Sequence, residues 1–341
     1  MASFQLTKLQ NTIISYRILV IVDVSVDIHS LGTAKMAPPS QTLWEKLLAN
    51  SNRSVQRYFN SIESRVGYRL VLGGTRHFGY YLVGTYWPFP ISKALRAMED
   101  QLLISLGLGT GSAVLDAGCG VGHVAIHLAR SGLRIQCIDI VDHHIQKAQR
   151  NVKAQGFQDV ISVRKMDYHR LEGFVDESFD GVYTMETLVH AVEPGVALRE
   201  FFRVLKPGGS ISLNEYEYKN RDNTPTDVWD TKKLINKYAS MPAADGFHEG
   251  SIQELLEETG FQDVVVKDFS ANIVPMLRLF YFLSYIPYLL IKLLGLQGQF
   301  VNTTAGFEGY RGRQYWRYVA ISAKKPEKIS IVRHATGVEQ A

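Results

Sequence analysis

Gly118, Gly120 and Gly122 stand at alternate positions behind an acid in the run Asp116-Ala-Gly-Cys-Gly-Val-Gly122. The run follows a short apolar strand pattern, Ala113–Leu115, and opens a helical one. Glycines in that setting let the backbone come close to a ligand at the carboxyl end of a strand. A dinucleotide loop wants its third glycine three residues after the second, and His123 stands there instead. Asp116 would also repel a pyrophosphate, whereas it would welcome an ammonium or a sulfonium. Asp139 closes the next strand pattern, where a carboxylate can chelate two ribose hydroxyls. Asp167, after the third, is positioned to reach the edge of a base, and Cys119 suits its loop by being small.

The elements that must carry these residues alternate. Strand patterns at Ala113–Leu115, Arg134–Ile138, Val160–Lys165, Phe179–Thr184 and Ser210–Asn214 are separated by helical ones at His123–Ser131, Asp142–Gln155 and Val196–Leu205, the last stopped by Pro207-Gly208-Gly209. A helix at Ser251–Thr259 and a strand at Val264–Asp268 follow. Such alternation predicts an α/β fold with a parallel sheet covered by helices on both faces. Ahead of it, an amphipathic helix is expected from Thr42 to about Asn60.

Composition sets outer limits. The 341 residues are 46% hydrophobic and 21% charged, which excludes a disordered or fibrous chain. A net charge of +4 is too small and dispersed to argue for nucleic acid. Two cysteines, Cys119 and Cys137, exclude a disulfide framework and fit a reducing, intracellular setting. His143-His144 lacks a third ligand at metal spacing, so no metal is expected. A disproportionate share of the tyrosines and phenylalanines lies in Tyr58–Phe89 and Phe280–Tyr318, outside the alternating region. Within Ile273–Leu296 the longest uncharged run, Leu279–Ile291, has 13 residues and contains Pro287. That falls short of the ~20 residues of a membrane span and reads as a helical hairpin over the core, or as an apolar lid or a patch touching a membrane surface.

Taken in order, these residues resemble the class I S-adenosylmethionine-dependent methyltransferases over about Ala113–Leu213. In detail they resemble the sterol 24-C-methyltransferases: Glu186-Thr-Leu-Val-His190, Phe202-Arg-Val-Leu-Lys-Pro-Gly-Gly209 and Glu215-Tyr216 stand at that family's motif positions, while Tyr68–Phe78 matches its aromatic block loosely. The resemblance implies a Rossmann-like methyltransferase sheet and S-adenosyl-L-methionine as cofactor, held by Asp116, Gly118, Cys119, Gly120, Gly122, Asp139, Asp167 and Glu186. It also implies methyl transfer to a lipophilic acceptor, with C-methylation of a sterol or other terpenoid alkene as the leading expectation. O- or N-methylation of a hydrophobic metabolite and a non-catalytic cofactor-binding partner protein are the alternatives.

An alkene that accepts a methyl becomes a carbocation, which needs aromatic faces, nearby acids and a base. Glu186 and Glu215 are expected as cation-facing acids or hydroxyl anchors, and His190 as proton acceptor or relay. Tyr68, His77, Phe78, Tyr80, Tyr81, Tyr86 and Trp87 are expected as pocket walls, each read equally well as core packing. His77 is the other candidate base, for hetero-atom transfer. The expected organisation is a disordered or gene-model extension over 1–35, with Met36 as the natural start, and a substrate-side helical segment over 36–110. The cofactor core follows over 111–215, then a substrate-lid extension over 216–326 and a tail over 327–341. The expected partners are a sterol- or terpenoid-like small molecule, a second copy of the chain and a membrane surface, but no nucleic acid. The expected location is the cytoplasm, with peripheral attachment to endoplasmic reticulum or lipid droplets.

Overall fold

Five parallel strands carry the predicted alternation in the computed structural model: β1 (Ala113–Ala117), β2 (Arg134–Asp139), β3 (Ile161–Lys165), β4 (Phe179–Met185) and β5 (Leu205–Tyr218). Beyond them come β6 (Gln262–Asp268) and β7 (Trp316–Lys324), with β7 antiparallel to both its neighbours. The order across the sheet is β3-β2-β1-β4-β5-β7-β6. It reverses between β1 and β4, and a crevice opens at the carboxyl ends of strands where such a reversal occurs. The structure describes residues 41–328, so the expected extension over 1–35 lies outside the described residues, as does the tail beyond 328. The chain divides into Met1–Glu45 and Lys46–Ala341, and the site lies wholly in the second unit.

The helices before the sheet are α1 (Gln41–Asn60), α2 (Ile62–Leu72) and α3 (Ile91–Leu106). Ser61 caps α2 by accepting the Ser64 N–H at 3.2 Å. Within the sheet region follow α4 (His123–Arg130), α5 (Asp142–Ala154), α6 (Pro194–Val204), α7 (Thr226–Tyr238) and α8 (Ser251–Thr259). Neighbouring residues of β1 serve opposite faces, as strand geometry requires. Leu115 joins Val182, Phe201 and Leu256 on one side, and Val114 joins Met98, Leu102 and Leu128 on the other.

Two local expectations change. Pro207-Gly208-Gly209 does not separate helix from strand, because β5 begins at Leu205 directly after α6. The pairing with β4 slips between Phe179 and Gly181, and this irregularity absorbs the proline that cannot donate to the ladder. Nor does Ile273–Leu296 form a hairpin by itself. It is one helix, α9 (Val274–Leu293), running through Pro287 and packed against α10 (Val301–Arg311). A proline removes one helical hydrogen bond, and the buried Met276, Leu277, Ser284, Tyr288 and Ile291 hold α9 in spite of that. A Cβ on Gly306 would lie 2.5 Å from Ser284 Oγ, so glycine permits the close approach of α10. Tyr288 and Phe307 stack across it with centroids 4.1 Å apart. By length and composition alone, α9 is long and apolar enough to cross a membrane, which its 13-residue uncharged run does not suggest.

Candidate cofactor and substrate site

The glycine loop is fastened at both ends. Gly118 and Cys119 donate their N–H groups to the Ile138 carbonyl at 2.9 Å, binding the loop to the end of β2. Gly118 has φ +109°, and a Cβ there would lie 2.7 Å from three side-chain atoms of Thr187. Thr187 cannot easily yield, since its hydroxyl donates to the Ala117 carbonyl at 2.8 Å. Asp139 accepts the Gly120 N–H at 2.9 Å and the Val141 N–H at 2.8 Å, with His144 Nδ1 at 3.2 Å. Burial pushes its carboxyl up, but His144 and the two backbone donors outweigh that and hold it below the usual range.

Asp116, Gly118, Cys119, Gly120 and Asp139 all border a cavity of about 130 Å³. Asp116 is buried there, and desolvation lifts its pKa to about 8. A buried carboxyl beside a glycine turn fits the ammonium of an amino-acid ligand, and an acid at the end of β2 fits ribose hydroxyls. Two expected cofactor residues stand aside. Gly122, with φ +80°, caps α4 and does not line the cavity. Asp167 is engaged by Asn52 Nδ2 at 2.8 Å and His169 Nδ1 at 2.7 Å, and its neighbours Met166 and Tyr168 line the cavity in its stead.

A larger cavity of about 400 Å³ adjoins the first, with Phe78, Leu277, Phe280 and Trp316 among its walls. Tyr58, Tyr68, Arg76, His77, Glu186 and Tyr216 line both and form the junction. Glu186 holds φ +58°, a left-handed conformation rare for a residue with a side chain. It accepts hydrogen bonds from the Phe78 N–H at 2.7 Å, the Tyr318 hydroxyl at 2.9 Å and the Tyr216 hydroxyl. Burial raises its pKa in spite of these donors.

Arg76, which motif reasoning did not single out, is the other charged group at the junction. Its guanidinium lies 4.8 Å from the Phe59 ring centroid and 4.9 Å from that of Tyr68. Its Nε and Nη1 are buried without a hydrogen-bond partner, and desolvation lowers its pKa. The available signal was an arginine between the glycine pair and His77 inside the loosely matched aromatic block.

The remaining expected residues divide. Glu215 reaches neither cavity: it accepts the Leu188 N–H at 2.7 Å, the Thr187 N–H at 3.1 Å and the Thr184 hydroxyl at 3.1 Å, fastening the turn after β4. His190 lines the smaller cavity, with Nδ1 donating to the Ser240 carbonyl at 2.7 Å. His77 is held between the Phe78 carbonyl at 2.8 Å and Glu99 Oε1 at 3.2 Å. The Tyr68 hydroxyl pairs with that of Tyr58 at 3.2 Å. Tyr80 packs on Phe269, the Tyr81 hydroxyl donates to the Pro88 carbonyl, and Tyr86 and Trp87 are exposed, so these four are not pocket walls. Among the described residues no cluster of His, Cys, Asp or Glu could hold a metal ion.

Comparison with known proteins separates the cofactor from the reaction. A family model described as a methyltransferase domain matches residues 115–213. An S-adenosyl-L-methionine-dependent Diels-Alderase of Talaromyces variabilis is 45% identical over 81% of this chain and 96% of its own. Another, from a Neonectria species, is 42% identical over 63% of this chain and 84% of its own. Among solved structures, the 4+2 cyclase SpnF superposes with a TM-score of 0.65 at 22% identity, covering 81% of this chain and 96% of that one, a likeness of fold.

The cofactor core is therefore an S-adenosylmethionine-binding, class I methyltransferase-like Rossmann fold with flanking helices. The sterol 24-C-methyltransferase assignment is overturned by these relatives, and with it methyl transfer to a sterol, terpenoid or hetero-atom acceptor. The reason is physical: the motifs behind it lie in the part of the chain that binds cofactor, which says what is bound and not what is done with it. Glu186 and Glu215, expected as cation-facing acids or hydroxyl anchors, and His190 and His77, expected as bases, are each committed to hydrogen bonds within the protein.

Proposed function

This chain belongs to the family of S-adenosyl-L-methionine-dependent Diels-Alderases, and we propose that it catalyses a 4+2 cycloaddition within a lipophilic polyene held in the larger cavity. In that reaction a diene and an alkene form two new carbon–carbon σ bonds while three π bonds become one. No group leaves, no proton moves, and the product is an isomer of the substrate. A base and a consumable methyl are both unnecessary.

What such a reaction asks of a protein is shape. Folding the chain so that four reacting carbons meet in pairs recovers much of the barrier, up to about 7–11 kcal/mol where the fit is good. Phe78, Leu277, Phe280 and Trp316 provide apolar walls for such a chain. The Glu186–Tyr216–Tyr318 group is satisfied within itself, which fixes those rings as a rigid surface. Where the alkene is conjugated to a carbonyl, electron density gathers on that oxygen in the transition state, and a donor aimed at it lowers the barrier. Arg76, with buried donors free at the junction, is suited to that role. Asp116 and Asp139 would hold the amino and ribose parts of the cofactor, with Gly118 and Gly120 admitting its backbone-side approach. The bound cofactor supplies a fixed sulfonium charge.

The observation carrying this reading is the pairing of 45% identity to a Diels-Alderase with an apolar cavity that adjoins the glycine loop. The test is mass spectrometry after incubation with a conjugated polyene bearing a remote alkene and with methyl-labelled cofactor. The expected product has the mass of the substrate, carries no label, and does not form at the same rate without cofactor. A labelled product heavier by one methylene would overturn the proposal.

A further inference from the structure

Away from the cofactor loop, the larger cavity contains a second buried cation. Lys232 on α7 is 8% exposed and lines only the larger of the two cavities. Its Nζ stands 4.0 Å from the Tyr218 ring centroid and 4.5 Å from that of Trp229. Among the described residues it makes no hydrogen bond or ion pair. Asp245, the acid that acts on it most strongly, accepts instead from Asn236 Nδ2 at 2.8 Å.

The acids on the same cavity wall are already committed. Glu63 accepts the N–H groups of Asn302 and Thr303 at 3.0 and 2.7 Å, and Glu308 accepts from the Tyr288 hydroxyl and pairs with Arg311 at 3.1 Å. Desolvation pulls the Lys232 pKa down to about 8, which leaves the ammonium charged at neutral pH. Two aromatic faces offset only part of what burying an ammonium costs, each contributing about 0.5–2 kcal/mol. The largest remaining gain would come from an anionic acceptor on a ligand, since a charge-assisted hydrogen bond is strongest where water is excluded.

We propose that Lys232 is the anchor for an acidic head group, a carboxylate or an enolate, on the substrate, so that the cavity takes an amphiphile with an anionic end and an apolar chain. The chain then lies along Ile235, Val228 and Phe280, and the head is kept apart from the cofactor. Lys232 thereby selects and orients the substrate: an apolar chain bound by walls alone could enter either way round, and a fixed head gives its alkenes one register. The inference rests on the proposed function only in taking the larger cavity as the substrate's.

Decanoate and decanol serve as probes, being alike in chain and different in charge. Binding to the full chain is followed by calorimetry, with quenching of tryptophan fluorescence as a second readout. Decanoate is expected to bind about tenfold or more tighter than decanol, the scale of a hydrogen bond to a charged group. K232M should abolish that preference, K232R should keep most of it, and K233M, which alters the exposed neighbour, should leave it unchanged. The thermal midpoint of K232M should hold or rise, because an unpaired buried charge has been removed; a lysine serving only to brace Tyr218 and Trp229 would lower it. Equal affinity for the two probes would overturn the anchor, as would a preference that survives K232M or is lost in an Arg76→Met variant in place of K232M. A labelled, methylated product with the decanoate preference intact would remove the cycloaddition alone.

Discussion

The backbone N–H of Phe78 lies 2.7 Å from Oε1 of Glu186, joining the N-terminal aromatic segment to the end of β4. The same carboxylate receives the hydroxyls of Tyr216 on β5 and Tyr318 on β7. Three distant parts of the chain thus meet on one acid in a left-handed conformation, and the junction between the two cavities is built around it.

Removing that acceptor should be expensive. Glu186→Ala leaves two buried hydroxyls and one backbone N–H without a partner, at about 1–3 kcal/mol for each that water cannot reach. A loss of about 3 kcal/mol in urea unfolding is expected, together with loss of cyclisation. Glu186→Gln keeps an oxygen for Phe78 and should cost about 1 kcal/mol. Equal losses for the two variants would mean that charge, not hydrogen-bond acceptance, is what the site requires.

Gly118→Ala tests the cofactor cradle. The new Cβ would lie 2.7 Å from Thr187 atoms at φ +109°, with Thr187 fastened to Ala117. The loop must shift, at a strain of about 1–3 kcal/mol, so cofactor affinity by calorimetry is expected to fall about tenfold or more. The circular dichroism spectrum should not change. Unaltered affinity would show that the loop has another conformation available.

How far the chain's letters reveal this molecule can be judged at β5. Glu215 and Tyr216 are adjacent and look like one motif, but alternate strand residues face opposite ways. Tyr216 lines both cavities, whereas Glu215 turns under the β4 loop to hold Leu188 and Thr187. Asp116, Gly118 and Asp139 were legible because their geometry is local, set by a strand end and the turn after it. Arg76 and Lys232 were not, because what distinguishes them exists only in three dimensions: Arg76 has buried nitrogens without a hydrogen-bond partner, and the Lys232 ammonium is set against two aromatic rings. The reaction was least legible of all. Its family's motifs report the cofactor, while the walls proposed to shape a polyene are ordinary Phe, Leu and Trp residues brought together from α9, β7 and the segment around Phe78.

Arg76→Met should separate chemistry from stability. The guanidinium lies near two aromatic rings but has buried nitrogens with no partner, so its loss removes a desolvation cost along with the stacking. The thermal midpoint should change little. Loss of one donor to a developing oxyanion typically slows a reaction by about 10²–10³-fold, and a fall in kcat of at least about tenfold is expected with cofactor saturating. An unchanged kcat with weakened cofactor binding would move Arg76 from the substrate to the cofactor.

The buried acid Glu215 predicts a pH dependence whose sign can be worked out. Desolvation raises its pKa from 4.5 to about 8, and the Leu188, Thr184 and Thr187 donors offset only part of that. Its folded value lies above its unfolded one, so between the two the folded chain binds more protons than the unfolded chain. Stability from this group is therefore full below about pH 4.5, falls as pH rises, and levels off above about pH 8. Other titrating groups cancel when wild type is compared with Glu215→Gln. Relative to that variant, the wild type should lose about 3 kcal/mol between about pH 5 and about pH 8. Urea midpoints at the two pH values measure it directly. If the two proteins shift in parallel, Glu215 is ionised in the folded chain at both, and its three donors hold a carboxylate and not an acid.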